Sequence, residues 1–128
     1  MIVVDTSAVI AMILHEANAQ TLTDRLFAAE ERYMSAMSVV EATLVLSRTS
    51  SEPASDIKEF MSRADVKLCA VDQEHVTLAQ RAFLNFGKGR HQATLNLADC
   101  FSYAAAKALD APLLSVGNDF NQTDVRVA

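Results

Sequence analysis

The feature that most constrains the fold is the start of the chain, where the apolar run Met1–Val4 ends at a carboxylate, Asp5. Consecutive β-branched residues with no polar residue between them are typical of a strand buried on both faces. Such strands belong to parallel sheets that helices cover on both sides. Thr6 and Ser7 can cap a helix over the apolar stretch Ala8–Leu14. The first residues therefore predict a buried parallel strand that leads through Asp5 into a helix.

The same alternation of strand and helix patterns continues along the chain. Further strands are predicted at Tyr33–Ala36, Val66–Val71 and Pro112–Val116, with a short edge strand at Val125–Val127. Further helices are predicted at Asn18–Glu30, Ser38–Ser47, Ala54–Ala64, Gln73–Phe86 and Leu97–Leu109. This order indicates a three-layer α/β/α fold with a mostly parallel central sheet. With 128 residues, 51% of them hydrophobic, the chain has material for one core, so residues 1–128 are predicted to form a single domain.

Composition excludes several classes of protein. Lys+Arg 11 against Asp+Glu 16 gives a net charge of -5, so no global positive field attracts nucleic acid, and any such contact must be local. Cys69 and Cys100 lie in apolar segments without partners at metal-ligand spacing. The most apolar run is far shorter than the roughly 20 residues of a membrane span, and no secretory leader pattern is present. We expect a protein of the reducing cytoplasm that has no membrane partner.

Four carboxylates fall at the ends of predicted elements: Asp5, Glu41, Asp99 and Asp119. In an open parallel sheet, strand C-termini and the N-termini of the following helices share one edge, where ligands bind, so these acids are predicted to converge. Unpaired carboxylates at close range repel one another, and a divalent cation compensates them. A set of oxygen ligands without Cys or a His cluster favours Mg²⁺, or Mn²⁺, over Zn²⁺.

Each acid also has a purely structural interpretation. Ser38 and Glu41 have the spacing of a capping box, and Asn96 with Asp99 is a looser version of it. Asp5 can cap the first helix, where the helix dipole favours a negative charge. For any one of these acids alone, helix capping is the stronger interpretation. The joint pattern favours a metal site.

One loop is both basic and glycine-rich, and it contains Lys88, Arg90 and His91. Flexible loops of this kind often lie along a phosphate backbone. A solvated connection after a helix that ends at Gly87 explains the same residues equally well. We carry both interpretations, with these three residues as the candidate contacts to RNA.

Four segments together resemble the PIN-domain ribonucleases, and within them the VapC-type toxins of bacterial toxin–antitoxin pairs. The segments are VVDTSA at the start, SAMSVVEA around Glu41, GKGRHQATLNLADC around Asp99 and GNDFNQTD near the end. The resemblance implies an α/β/α fold, an acidic pocket that holds Mg²⁺ or Mn²⁺ for hydrolysis of RNA, a VapB-type antitoxin as partner, and a homodimer. By position, the catalytic and metal-ligating set is Asp5, Glu41, Asp99 and Asp119, with Thr6, Ser7 and Asn96 in support.

The mechanism that we predict has the carboxylates fix one or two Mg²⁺ ions, which orient and deprotonate a water for in-line attack on phosphorus. The products would carry 5′-phosphate and 3′-hydroxyl ends. Two departures from the family pattern affect the choice of RNA: Gln92 replaces a frequent Pro, and Ser115-Val116 replaces the usual Phe-Lys. Which RNA is cleaved, and where, is left open.

Two alternative functions belong to other classes. The first is a catalytically silent PIN-like interaction module, which would ordinarily lack one of the acids, and none is missing here. The second is a phosphorelay receiver domain, which has a similar size and also uses an acidic Mg²⁺ site at strand ends. A receiver needs a second acid beside Asp5 and a Lys after the last parallel strand, and the chain has neither.

Overall fold

The computed structural model describes residues 1–128, which form four strands, six helices and one turn of 3-10 helix. The strands are β1 (Ile2–Val4), β2 (Arg32–Ser35), β3 (Val66–Cys69) and β4 (Leu113–Leu114). The helices are α1 (Thr6–Ile13), α2 (Ala19–Ala28), α3 (Ala36–Leu46), α4 (Pro53–Arg63), α5 (Gln73–Phe86) and α6 (Leu97–Ala108), and the 3-10 turn is Phe120–Gln122. The predicted order of strands and helices is confirmed.

The four strands form one sheet in the order β3-β2-β1-β4, and every neighbouring pair is parallel. Parallel pairing follows from the connections, because helices join each strand to the next and return the chain to the same edge. β1 is central: Val3 pairs with Tyr33 on one side and with Leu113 on the other. The strand order reverses at β1, and an open α/β sheet binds its ligands at such a reversal. Asp5 stands at that point.

Helices cover both faces of the sheet. Ile2 and Val4 contribute to a core formed with α1, α2, α3 and α4, whereas Val3 contributes to a second core formed mainly with α5 and α6. This division follows from the alternation of side chains along a strand. Val3 and Val4 are both fully buried. The prediction of a three-layer α/β/α architecture with a parallel central sheet is therefore confirmed.

The last predicted strands are shorter than expected. β4 ends at Leu114 because its neighbour stops pairing there: the Leu114 carbonyl accepts from Asp5 N–H, and the next donor, Val116 N–H, turns to the Ser7 hydroxyl. The edge strand predicted at Val125–Val127 is reduced to a single bridge between Val127 and Leu113. None of the helices combines the length and apolar character that crossing a lipid bilayer demands.

Candidate active site

Asp5 is the most enclosed of the four predicted acids, with 3% of its surface exposed. It caps α1, where its Oδ2 accepts from the Ser7 N–H at 3.0 Å and from the Ser7 hydroxyl at 2.7 Å. Its Oδ1 accepts from the Ser102 hydroxyl at 2.6 Å. Three donors offset the cost of burying this carboxylate. The predicted capping role and the predicted place in the site therefore both hold for Asp5.

Two serines that the sequence analysis did not place in the site support this carboxylate. Ser102 and Ser38 are fully buried, and their hydroxyl oxygens lie 2.8 Å apart. Thr6, a predicted supporting residue, donates its hydroxyl to the Ser38 carbonyl at 3.1 Å. The sequence signal for Ser102 is its position in an otherwise apolar, alanine-rich helix, one turn after Asp99. Ser38 was assigned to a helix cap instead.

That assignment of Ser38 is wrong. The helix begins at Ala36, so Ser38 lies inside α3 and faces the core, and the N-cap residue is Ser35. Glu41 consequently lies in the second turn of α3 rather than in the first, and it is not part of a capping box. Burial raises the pKa of Glu41 above its usual value; the Thr6 hydroxyl partly offsets this, and the charge of Asp5 adds to it.

Asp99 lies in the first turn of α6, as predicted, and forms a true capping box with Asn96. The Asn96 side chain accepts from Asp99 N–H at 2.8 Å, and the Asp99 carboxylate accepts from Asn96 N–H at 3.0 Å. Burial raises the pKa of Asp99 to about 7, against the lowering effect of the Asn96 N–H. The charges of Asp5, Glu41 and Asp119 add to the rise. Asp99 therefore titrates near neutrality because negative charge has gathered around it.

A cleft of about 390 Å³ unites these side chains at the C-terminal edge of the sheet. Ten residues line it: Asp5, Thr6, Ser7, Ile10, Glu16, Glu41, Val45, Asn96, Asp99 and Val116. None of them is Lys, Arg or His. Glu16 is an acid that the sequence analysis missed; a left-handed residue before it, His15 at φ 53°, turns the chain after α1. Asp119 does not line the cleft and is exposed, and it acts on the site through its charge on Asp99.

The donor set fits a divalent cation that prefers oxygen. Carboxylates, hydroxyls and an amide line the cleft, no cationic side chain neutralises them, and the pKa of Asp99 reports the uncompensated charge. The acids do not form a closed cage, since no three His, Cys, Asp or Glu side chains of the chain converge on one point. Mg²⁺ commonly keeps several water ligands and uses only one or two carboxylates, so an open arrangement suits it.

The basic loop lies apart from this cleft. Lys88 and Arg90 are exposed, and Arg90 donates through Nε to the Leu84 carbonyl at 3.2 Å. His91 packs edge-on against Phe86, and its Nδ1 accepts from the Ala93 N–H at 3.0 Å. His91 therefore helps to shape the loop, and Lys88 and Arg90 are the two cations that the loop presents to solvent.

A helix-flanked parallel sheet with an acidic cleft at its C-terminal edge is the arrangement that the sequence resemblance implied, and comparison with known proteins agrees. Residues 2–126 match the family model of the PIN domain. The chain belongs to the PIN-domain family, and its relatives within that family are VapC ribonucleases. This membership sets aside the receiver-domain alternative.

Two relatives illustrate the degree of similarity. Ribonuclease VapC36 of Mycobacterium tuberculosis is 43% identical over 125 residues, which cover 96% of this chain and 90% of that protein. Ribonuclease VapC of Mycolicibacterium smegmatis is 40% identical over 124 residues, which cover 96% of each chain.

Solved structures share the fold. The sarcin-ricin loop cleaving toxin VapC20 of Mycobacterium tuberculosis superposes with a TM-score of 0.75 at 18% identity, over 100% of this chain and 98% of that one. The toxin in VapBC2 of Rickettsia felis, bound to a DNA fragment from its promoter, gives a TM-score of 0.74 at 17% identity, over 99% and 96% of the two chains.

Proposed function

We propose that the chain is a metal-dependent endoribonuclease of the VapC type, the toxin of a toxin–antitoxin pair, which hydrolyses phosphodiester bonds of RNA. The observation that carries this proposal is the cleft in which Asp5, Glu41 and Asp99 lie together with no cationic side chain among its lining residues. Family membership supplies the reaction class, because the relatives are ribonucleases. The site is at the edge of the sheet where α/β proteins bind ligands.

Asp5, Glu41 and Asp99 are the side chains that would hold Mg²⁺ or Mn²⁺, with Asp119 as an outer contributor of charge. When bound, the ion would supply Lewis-acid activation of water and stabilisation of the charge that develops on the phosphate. PIN-domain nucleases of the VapC type are generally dependent on a divalent metal, which supports this choice.

The protein's own groups have distinct tasks in this proposal. Asp5 is held rigidly by three donors and cannot rotate without losing them. Asp99 uses Oδ2 to accept from Asn96, which leaves Oδ1 free to hold a proton, and its pKa of about 7 suits proton transfer at neutral pH. Ser7 connects Asp5 to the loop after β4, since it donates to the carboxylate and accepts from Val116.

RNA and protein partners would use surfaces outside the cleft. We propose that Lys88 and Arg90 contact the phosphate backbone of RNA, because they are the exposed cations of a glycine-containing loop. A VapB-type antitoxin and a second copy of the chain are the protein partners that we propose. Val40 and Leu44 on α3 are 56% and 66% exposed, which is more than an isolated helix face of this apolar character normally leaves in water. The cytoplasm is the compartment in which all three would meet.

The decisive experiment is incubation of the purified chain with total cellular RNA, with Mg²⁺ and with EDTA, followed by mapping of the 5′ ends. We expect discrete cleavage that leaves 5′-phosphates, is abolished by EDTA and is restored by Mg²⁺ or Mn²⁺. Asp5→Asn should reduce the rate by at least about 100-fold. Asp72→Asn is the matched control, because Asp72 caps α5 as Asp5 caps α1 and lies outside the cleft.

Two results would contradict the proposal. Cleavage that survives complete chelation would remove the metal from the reaction. A folded protein that cleaves no RNA under any condition would instead support the silent interaction module.

A further inference from the structure

We propose that Ser102, with Ser38 behind it, is a positioning residue that fixes the Asp5 carboxylate so that one acceptor site, on Oδ1, stays open toward the cleft. This inference rests on the proposed function, because it concerns how the hydrolytic site is held. It assigns a role to two buried serines that lie outside the set of acids.

The count of acceptor sites on Asp5 defines what remains for a ligand. A carboxylate has about four lone-pair sites, two on each oxygen. On Oδ2, the Ser7 N–H and the Ser7 hydroxyl occupy both sites. On Oδ1, the Ser102 hydroxyl occupies one at 2.6 Å. A single site remains, and the Ser102 hydrogen bond decides in which direction it points.

The direction of the hydrogen bonds in this chain is fixed by chemistry. An ionised carboxylate can only accept, so Ser102 must use its one hydrogen for Asp5. The short contact between the two serine hydroxyls then requires that Ser38 donate to Ser102. Hydrogen bonds in series polarise one another in a low-dielectric interior, and both hydroxyls are fully buried. Ser38 therefore strengthens the donor that Ser102 offers to Asp5.

The two serines also tie together the helices that hold the other acids. Ser38 lies one helical turn before Glu41 on α3, and Ser102 lies one turn after Asp99 on α6. The Thr6 hydroxyl adds α1 through the Ser38 carbonyl. A nearby residue provides the contrast: Ser35 is equally buried, but its hydroxyl has no partner. Burial of a serine in this layer therefore does not by itself create a contact to the site.

The test measures binding of Mn²⁺ alone to the metal-free full-length chain by calorimetry, together with RNA cleavage. We expect Ser102→Ala to weaken Mn²⁺ binding by about 10- to 100-fold, as loss of a hydrogen-bond partner behind a metal ligand does. kcat should fall with it while KM for RNA stays unchanged. Ser38→Ala should have a smaller effect, about 3-fold, because Ser102 still donates. Ser35→Ala, the matched control, should bind Mn²⁺ as the wild type does.

Ser102→Cys separates the donor from the space that it fills, since a thiol occupies the position but is a weak donor. We expect it to behave like Ser102→Ala. Mn²⁺ affinity of Ser102→Ala equal to that of Ser35→Ala, or of Ser102→Cys equal to that of the wild type, would overturn the positioning role alone. A wild-type chain that neither binds Mn²⁺ nor cleaves RNA would overturn the proposed function and this inference together.

Discussion

At the scale of single residues, the number of donors that reach a carboxylate matters more than its burial. Asp5 is almost fully enclosed, but three hydrogen bonds compensate its charge. Asp99 is less enclosed, accepts from one backbone N–H and faces three other carboxylates, and its pKa rises to about 7. The electrostatic strain of the site is therefore concentrated on Asp99, which makes that residue the best probe of the site in the absence of metal.

The first prediction concerns stability against pH in metal-free buffer. Because the pKa of Asp99 is raised in the folded state, from 3.8 to about 7, the folded chain binds a proton more tightly than the unfolded chain. This contribution therefore stabilises the protein below pH 4 and is lost as the pH rises toward 7. Asp99→Asn should raise Tm at pH 8 by a few degrees and leave it nearly unchanged at pH 4. Thermal unfolding followed by circular dichroism at both values checks this, and a lower Tm for the variant at pH 8 would contradict it.

At the scale of elements, local chemistry specified some boundaries and tertiary contacts specified others. Asn96 and Asp72 cap α6 and α5 as their sequence positions predict, because capping involves only neighbouring residues. Ser38 had the same kind of local signal, but its hydroxyl contacts Ser102, which is distant in the sequence. Glu16 reaches the cleft through a left-handed turn at His15, and no short motif announces that turn.

The second prediction uses the caps as a matched pair. Asn96→Ala removes the capping box of α6, and Asp72→Ala removes the cap of α5. Each should lower the free energy of unfolding by about 1 kcal/mol, measured by urea titration. Only Asn96→Ala should also reduce RNA cleavage, since Asn96 holds the backbone and side chain of Asp99. Equal cleavage by the two variants would mean that the capping box has no part in the reaction.

The third prediction concerns the loop after α5, which is built for a fixed path. Gly87 has no space for a side chain, since a Cβ there would collide with the Phe83 carbonyl, and Gly89 is left-handed at φ 82°. Lys88→Ala combined with Arg90→Ala should weaken RNA binding and flatten its salt dependence by about 0.7 per lost phosphate contact. Affinity measured against salt concentration, in a non-cleaving Asp99→Asn background with Mg²⁺, tests this. Parallel lines of equal affinity would leave the loop as a solvated connection.

At the scale of the whole molecule, the fold gathers negative charge at one edge and relies on a ligand to relieve it. The net charge is -5, and Asp5, Glu16, Glu41 and Asp99 all line one cleft. Sequence alone predicted the convergence of acids because the carboxyl ends of parallel strands share an edge. It could not predict how far each acid would be buried, since that depends on packing between α1, α3 and α6.

The fourth prediction follows from that arrangement. A ligand that binds only the folded chain stabilises it by about 2.7 kcal/mol at 100 times Kd, so saturating Mg²⁺ should raise Tm by about 10 °C. EDTA should reverse the shift, and NaCl of equal ionic strength should not reproduce it. Asp99→Asn should show a much smaller rise. An equal response to NaCl would mean that general screening, rather than binding in the cleft, relieves the repulsion.

The fifth prediction concerns the surface that the isolated chain leaves unpartnered. The sequence offered two apolar helices as interfaces, but α1 is largely absorbed by the core, with Val9 fully buried, whereas Val40 and Leu44 on α3 remain exposed. Replacing both with Glu should therefore leave the free energy of unfolding of the monomer within about 0.5 kcal/mol of the wild type. It should abolish co-elution on gel filtration with the antitoxin, the product of the adjacent small reading frame.

The control for this last change is Val127→Glu, which places the same charge at an exposed apolar residue outside α3. That variant should still co-elute with the antitoxin, and its growth inhibition should still be relieved by co-expression. RNA cleavage by the α3 variant alone should persist, because the cleft is lined by the neighbouring face of the helix, at Glu41 and Val45. A toxic variant that the antitoxin no longer neutralises would separate the two faces of α3, one that holds the site and one that binds the inhibitor. Undiminished co-elution would show that the partner binds elsewhere on the chain.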